Sequence, residues 1–420
     1  MIISVIIFVV SYGLIVMDKI DKTVVALAGA GLMIVVKIVS QDYAFKEAVD
    51  YNTLALLIGM MVIVMIMKRT GLFEYLAIKT VKIAKADPVR ILVLLSIITG
   101  ILSALLDNVT TILLILPVTI SIAKDLNLNP IPLILSQIFA SNAGGTATLI
   151  GDPPNILIGS QVGLTFMDFI KNLAVIVIPI MFLTTYLFVL LYKNKLFVAE
   201  ALKKQVMAIN ENECIKDSRL LIKCLIVMGM TLVGFMLHGQ LHYESGTIAF
   251  VGAVLLLLIS KFNAEEILHE VEWDTIFFFI GLFILVGGIK STGVIKLLAG
   301  GIINVTHGDL VFTTLAILWV SAIASAFINN IPFVATMISL VKDMGTMSGM
   351  NLTPIWWALS LGACLGGNGT IIGASANVIA VDMAREEGYK ISFWDFLKVA
   401  FPLMILTLFI ATGYIYFRYL

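Results

Sequence analysis

The stretch GGTATLIGDPPN, Gly144–Asn155, packs three glycines, two adjacent prolines and a carboxylate, Asp152, into one of the most apolar regions of the chain. A lipid-spanning helix has little use for any of these residues, because glycine and proline break helices and a charge is costly in hydrocarbon. The surroundings leave no doubt about that hydrocarbon. The 420 residues are 60% hydrophobic and 13% charged, about half the charge of a soluble domain, and the mean hydropathy is +1.06. Long apolar runs recur from end to end and show no period-2 alternation, which describes an all-α polytopic membrane protein and not a barrel. A net charge of zero points away from nucleic acid. MIISVIIFVVSYGLIVM at the start has neither a basic leader nor a small-residue cleavage site, so it reads as a first span. Cys214, Cys224 and Cys364 lack metal or disulfide spacing, and His238 and His242 fit a polar loop better than a zinc pair. No cofactor is expected.

The motif has an echo. Thr148-Leu149-Ile150-Gly151 matches Thr370-Ile371-Ile372-Gly373, and Asn155 matches Asn377. Tyr51-Asn52-Thr53 resembles Trp273-Asp274-Thr275, Ile58-Gly59 matches Ile280-Gly281, Thr70-Gly71 matches Thr292-Gly293, and Asp107-Asn108 faces Asn329-Asn330. Every pair is 222 positions apart. The spacing indicates a tandem duplication: residues 1–191, a charged linker 192–217, and residues 218–420.

Crossings in the first half set the relation between the copies. Residues 1–17, 23–39 and 51–67 read as spans, and 72–86, with Lys79, Lys82 and Lys85 on one face, as an interfacial helix. Ile91–Ala123 is a charge-free run apart from Asp107. One helix of that length would be ~50 Å long against a core of ~30 Å, and two spans need roughly 40 residues. A re-entrant hairpin with Asp107-Asn108 at its tip fits. Pro130–Thr165 reads as a helix broken at Gly144–Pro154, and 169–191 as a final span. Five crossings is an odd number, so the second half is expected to be inverted. With the N-terminus outside, the segments placed inside hold Lys19 and Lys22, the basic group from Lys68 to Arg90, the linker lysines, and Arg385 and Lys390. Lys290 and Lys296 dissent, but the bias fits the positive-inside rule. Both termini are then expected outside and linker 192–217 in the cytoplasm, in a plasma (inner) membrane protein.

Broken backbone in a bilayer is tolerated only where protein or a wet cavity surrounds it. The four interruptions, Asp107-Asn108, Gly144–Asn155, Asn329-Asn330 and Gly366–Asn377, are therefore expected to converge near the midplane and offer amides, carbonyls and side chains to a small ion or polar solute, as in a secondary transporter. Asp152-Pro153-Pro154 also reads as a helix start, with Asp as N-cap and Pro at N1, and the two roles are compatible. The carboxylates are one-sided: Asp107 and Asp152 face Asn329 and Ala374 across the repeat, and no Lys or Arg lies within the interrupted segments. Acidic groups without a basic partner suit H⁺ or Na⁺, with a Na⁺ site expected near Asp107, Asn108, Asn329 and Asn330.

LLDNVTTILLILPVT (Leu105–Thr119) and SNAGGTATLIGDPPNILI (Ser141–Ile158) resemble the ion transporter superfamily, closest to its branch of arsenite pumps, NhaD-type sodium–proton antiporters and the melanosomal P protein. The resemblance spans nearly the whole chain. It implies a homodimer in the lipid bilayer, each protomer having a scaffold (1–90 and 218–309) and elevator-type transport elements (91–191 and 310–420). It further implies a site lined by Asp107, Asn108, Thr110, Thr148, Asp152 and Asn155, and from the second half by Asn329, Asn330, Asn368, Thr370, Ser375 and Asn377. Two departures bear on the solute. Dicarboxylate carriers of the superfamily have Ser-Asn-Thr at both hairpin tips, where this chain has Asp107-Asn108-Val109 and Asn329-Asn330-Ile331, and arsenite pumps lack the Gly-Asp-Pro-Pro-Asn run. The reading is an ion-coupled secondary transporter, most consistent with cation or proton coupling. The alternatives are an anion or arsenite carrier and an anion channel on the same fold. An intramembrane aspartyl protease is disfavoured, because Leu149-Ile150-Gly151-Asp152 lacks the Gly-x-Gly-Asp pattern and a protease does not call for the repeat.

Overall fold

A computed structural model describes residues 1–17 and 19–420, which are helical and contain no strand. Apart from short helices in the connections, the first half contributes α1 (Ile2–Met17), α2 (Lys22–Val35), α3 (Tyr51–Lys68), α4 (Leu72–Ile83), α5 (Pro88–Leu105), α6 (Asn108–Asp125), α7 (Ile131–Thr146), α8 (Pro153–Val162) and α9 (Val175–Tyr192). The second contributes α10 (Ser218–Leu241), α11 (Ser245–Ser260), α12 (Trp273–Ser291), α13 (Val294–Thr306), α14 (Leu310–Phe327), α15 (Asn330–Ser348), α16 (Thr353–Gly366), α17 (Ser375–Glu386) and α18 (Phe393–Tyr419). The bounds of α5 and α14 differ by 222 at both ends, as do the starts of α6 and α15 and of α8 and α17. Among the described residues, 8 helices are long and apolar enough to cross a membrane.

Local signals explain where these helices begin. Asp21 accepts from the Thr23 and Val24 amides at 2.8 and 3.0 Å, Asp87 from Arg90 N at 2.9 Å with Pro88 following it, and Asp309 from Phe312 N at 2.6 Å. Each carboxylate satisfies donors that a helix start leaves unpaired, and lies where a negative charge meets the positive end of the dipole.

Packing interleaves the two halves. Gly59 on α3 lies so close to α11 that a Cβ there would come within 2.5 Å of the Ala249 carbonyl carbon, and Gly281 on α12 would put one 2.6 Å from that of Ala26 on α2. Within each half, α5 meets α7 at Gly144, where a Cβ would lie 2.1 Å from Gly100 O, and α14 meets α16 at Gly366, 2.4 Å from Ala322 O. Small residues admit this approach, which supplies dispersion contact where lipid removes the usual hydrophobic drive. The outward faces are apolar: α10 exposes Ile222, Leu225, Ile226, Met230 and Val233, as lipid contact requires.

The arms about Asp107-Asn108 are longer than the charge-free run suggests. Asp87 and Pro88 start α5 before Ile91, and α6 runs on through Lys124 to Asp125, giving 18 residues each. The polar ends belong to the helices and not to flanking loops, so length alone no longer separates a re-entrant hairpin from two crossings. The linker folds back on α4, where Glu211 pairs with Lys82 at 2.5 Å and Lys216 N donates to Thr70 O at 3.0 Å.

Candidate functional site

Each break is held open by the same set of bonds. In the first half, Asn155 at the start of α8 reaches back and donates Nδ2 to the Thr146 and Thr148 carbonyls at 3.1 and 2.9 Å. Thr148 Oγ1 donates to Ala104 O at the end of α5 at 2.7 Å, and Ser103 Oγ to Ser141 O at 2.6 Å. In the second, Asn377 donates to the Gly367 and Thr370 carbonyls at 2.7 and 2.8 Å, Thr370 Oγ1 to Ala326 O, and Ser325 Oγ to Ala363 O at 2.6 Å. Side-chain amides thus replace the ladder that a broken helix loses, which is what buried backbone demands. Thr148, Thr370, Asn155 and Asn377 accordingly turn their donors to the backbone.

The four interruptions meet. Asn108 N donates to Gly151 O at 3.1 Å, joining the first tip to the first break. Asn142, on the last turns of α7, accepts from Asn108 Nδ2 at 3.1 Å and donates across the repeat to Asn368 Oδ1 at 3.0 Å and Asn377 Oδ1 at 2.8 Å. In return, Ser360 Oγ on α16 donates to Asn155 Oδ1 at 2.5 Å, and Cys364 Sγ lies 3.5 Å from the same atom. Asn330 Nδ2, at the second tip, reaches Asp152 Oδ1 at 3.4 Å. Asn142 and Ser360 were not among the residues expected from sequence. The quoted SNAGG segment contains Asn142, but its repeat partner is Cys364, so it gives no matching signal.

Asp152 has the geometry of an N-cap, followed by proline, yet its side chain caps nothing. That role belongs to Asp107, whose Oδ1 accepts from Thr110 N at 2.8 Å, and to Asn329, which accepts from Ile331 N at 3.2 Å. Freed from the helix end, Asp152 is 1% exposed, bonded to the opposite half through one oxygen while Oδ2 is buried without a partner. Asn108 Oδ1 and Thr110 Oγ1 are also buried and unpaired. Leaving such groups unmet costs about 1–3 kcal/mol apiece, and these three belong to the tip and the break that Asn108 N joins to Gly151 O. Oxygen donors of this kind suit a proton or a hard cation such as Na⁺.

At the rim, Asp107 and Asn329 are half-buried. Asn329 donates to Ser375 Oγ at 3.0 Å, and both line a cavity of about 240 Å³ together with Lys19, Asp21, Lys22 and Phe278. A smaller cavity of about 70 Å³ lies toward the other end of α12, between Gly287, Lys290, Gln161 and Ser339. Elsewhere, His238 bonds Phe166 N at 3.1 Å and Tyr243 O at 3.2 Å within the fold, and among the described residues no group of His, Cys, Asp and Glu is placed to hold a metal ion.

The chain is similar to known transporters. A family model described as citrate transporter matches residues 12–362. An uncharacterized transporter of Mycobacterium tuberculosis is 42% identical over 423 residues, covering 100% of this chain and 98% of its own length. The P protein of Homo sapiens is 32% identical over 479 residues, covering 94% of this chain and 57% of that protein. Among solved structures, the YdaH transporter of Alcanivorax borkumensis superposes with a TM-score of 0.59 over 94% of this chain and 95% of that one, at 12% identity. At that identity the likeness is one of fold.

Proposed function

The chain belongs to the citrate transporter family, within the ion transporter superfamily, as a multi-pass membrane transporter and not an enzyme, and from that premise we propose a secondary, ion-coupled carrier that moves a small ion or polar solute by alternating access. Asp107 and Asp152 carry or exchange H⁺ or Na⁺. Asn108, Thr110, Asn330, Asn368 and the broken backbone coordinate the solute, with Asn329 and Ser375 at its entrance. The observation that carries this reading is Asp152: a buried carboxylate, bonded across the repeat through one oxygen and unpaired at the other. Most buried polar atoms have a partner, and a carboxylate oxygen left without one is open to a proton or a cation.

The architecture proposed with it is an inverted repeat of two five-crossing units, 1–191 and 218–420, each with a re-entrant hairpin (α5–α6, α14–α15) and a broken helix (α7–α8, α16–α17). These elements move as an elevator against a scaffold of 1–90 and 218–309, in a plasma-membrane homodimer with both termini outside and linker 192–217 inside. The interleaving of α3 with α11 and of α12 with α2 supports a scaffold built from both halves.

The test is reconstitution in vesicles with an entrapped pH dye, imposing Na⁺ or citrate gradients. Either gradient is expected to move protons in the wild type, with Asp107→Asn and Asp152→Asn each lowering the rate at least ~10-fold. Rates unchanged in both variants would sink the assignment. A second reading, an anion carrier, is favoured by Lys19 and Lys22 in the lining of the cavity of about 240 Å³ and by the family's name. Saturable citrate uptake that tolerates Asp152→Asn would select it.

A further inference from the structure

Glu272 immediately precedes α12, and its repeat counterpart, 222 positions earlier, is Asp50, which immediately precedes α3. The two carboxylates have opposite surroundings. Asp50 is fully engaged: Oδ1 accepts from Thr53 N at 3.1 Å and Ser160 Oγ at 3.0 Å, and Oδ2 from Thr53 Oγ1 at 3.0 Å and Gln161 Nε2 at 2.9 Å. It caps α3 and clasps the end of α8. Glu272 caps nothing. Its Oε2 accepts from Thr275 Oγ1 at 3.2 Å, while Oε1 is buried without a partner. Thr53 has its counterpart in Thr275, but the two donors from α8, Ser160 and Gln161, are replaced in the second half by Asp382 and Met383, so Glu272 has no equivalent clasp available.

Its position places it beside the entrance. Thr23 Oγ1 at the start of α2 donates to Asp274 O at 3.0 Å, fixing this end of α2 to this end of α12. Lys22 Nζ lies 5.6 Å from the centre of the Phe278 ring, and both line the cavity that opens on Asn329 and Ser375, where Asp21 is engaged in capping α2. The charged groups acting on Glu272 are Asp107 at the first hairpin tip, Lys22 on α2 and Asp274 on its own helix. One carboxylate therefore stands within electrostatic reach of both the cavity's lysine and the half-buried tip.

We infer that Glu272 is a proton-binding station between the cavity and Asp107, a site distinct from the Asp107–Asp152 pair. An O–H bond forms on Glu272 with a proton delivered by hydronium in the cavity. That bond breaks as one forms on the Asp107 carboxylate, and Glu272 returns to its ionised state. Burial first, and then the negative charge of Asp107, push its pKa up to about 7, against the pull of Lys22. Exchange near neutral pH is where a relay of this kind operates well. The inference rests on the proton-coupled reading proposed above.

The test combines infrared titration of protonated carboxyl groups with proton flux in Na⁺- or citrate-loaded vesicles, for the wild type, Glu272→Gln, Asp50→Asn and Asp107→Asn. A band with a midpoint near 7 is expected. It should be lost in Glu272→Gln, kept in Asp50→Asn, and moved to lower pH in Asp107→Asn, where the repelling charge is gone. Flux in Glu272→Gln should fall ~10-fold and lose its dependence on pH around the midpoint. A band that survives Glu272→Gln, a midpoint indifferent to Asp107→Asn, or unchanged flux in Glu272→Gln overturns the relay. A wild type that moves no protons in either gradient overturns the coupling reading along with it. That failure is recognised because Asp107→Asn then changes no flux.

Discussion

The breaks at Gly144–Asn155 and Gly366–Asn377 share a framework and differ in chemistry. In both, an asparagine at the start of the second arm donates to two carbonyls of the first, and a threonine hydroxyl ties the loop to the adjacent hairpin arm. Only the first carries a carboxylate, because Ala374 stands where Asp152 would be repeated. The structural part of a duplicated site must be kept in both copies, since either break collapses without it. The carboxylate, to which the proposed function assigns ion binding, is needed once if the copies face each other, as they do through Asn330 and Asp152.

Exchanging the two residues gives the largest expected effect. Asp152→Ala should lower coupled transport ~100-fold or more, equivalent to about 2.7 kcal/mol, while changing thermal stability by less than ~1 kcal/mol, because Asp152 caps no helix. Ala374→Asp should instead cost about 3 kcal/mol of stability, the scale for a carboxylate deep in a membrane helix. Its repeat-related partner would be Asn108, whose amide is already given to Asn142. Vesicle transport and unfolding in detergent measure both, and the double exchange should stay inactive. A double variant that recovers transport would show that either half can hold the charge.

Asn142 gives the next largest effect. Asn142→Ala strips partners from Asn108, Asn368 and Asn377 at once, a loss of about 2–3 kcal/mol at roughly 1 kcal/mol for each group left unmet. Cys364→Ala, at the matching position, removes a 3.5 Å contact to Asn155 and a thiol that lies beside Asp152, and should cost less than ~1 kcal/mol. Equal melting shifts for the two variants would mean that the junction does not depend on Asn142.

Much of this was legible in the residues. Glycine, proline and asparagine set into apolar runs mark the breaks, and the 222-residue offset brings out their pairing because both copies need the same backbone repair. What was hidden depends on tertiary partners. Asp152 followed by two prolines looks like a cap, but the capping bond is absent and its side chain is bonded to Asn330, 178 positions away. Asn142 has no echo because its counterpart is a cysteine that donates to the same kind of acceptor more weakly. The crossing of α3 with α11 rests on a close approach at Gly59 that no local pattern announces. The difference between Asp50 and Glu272 appears only when Ser160 and Gln161 are seen to reach one and to have no equivalent at the other.

The smallest expected effect concerns a polar group that the repeat dispenses with. Gln137 on α7 donates Nε2 to Thr99 Oγ1 at 3.2 Å and Thr119 Oγ1 at 3.0 Å, and its Oε1 is buried without a partner. The corresponding residue is Leu359, and Thr99 and Thr119 correspond to Ser321 and Val341. Both threonines donate to carbonyls of their own helices, Leu95 at 2.7 Å and Ile115 at 3.1 Å, so neither depends on Gln137 for an acceptor. Gln137→Leu thus removes one unmet acceptor and two modest bonds, terms of about 1 kcal/mol and opposite sign. Stability is expected to stay within ~1 kcal/mol of the wild type, with transport intact. A transport defect without a stability change would assign Gln137 to the conduction path, and would extend the chemical difference between the halves from their breaks into the packing behind them.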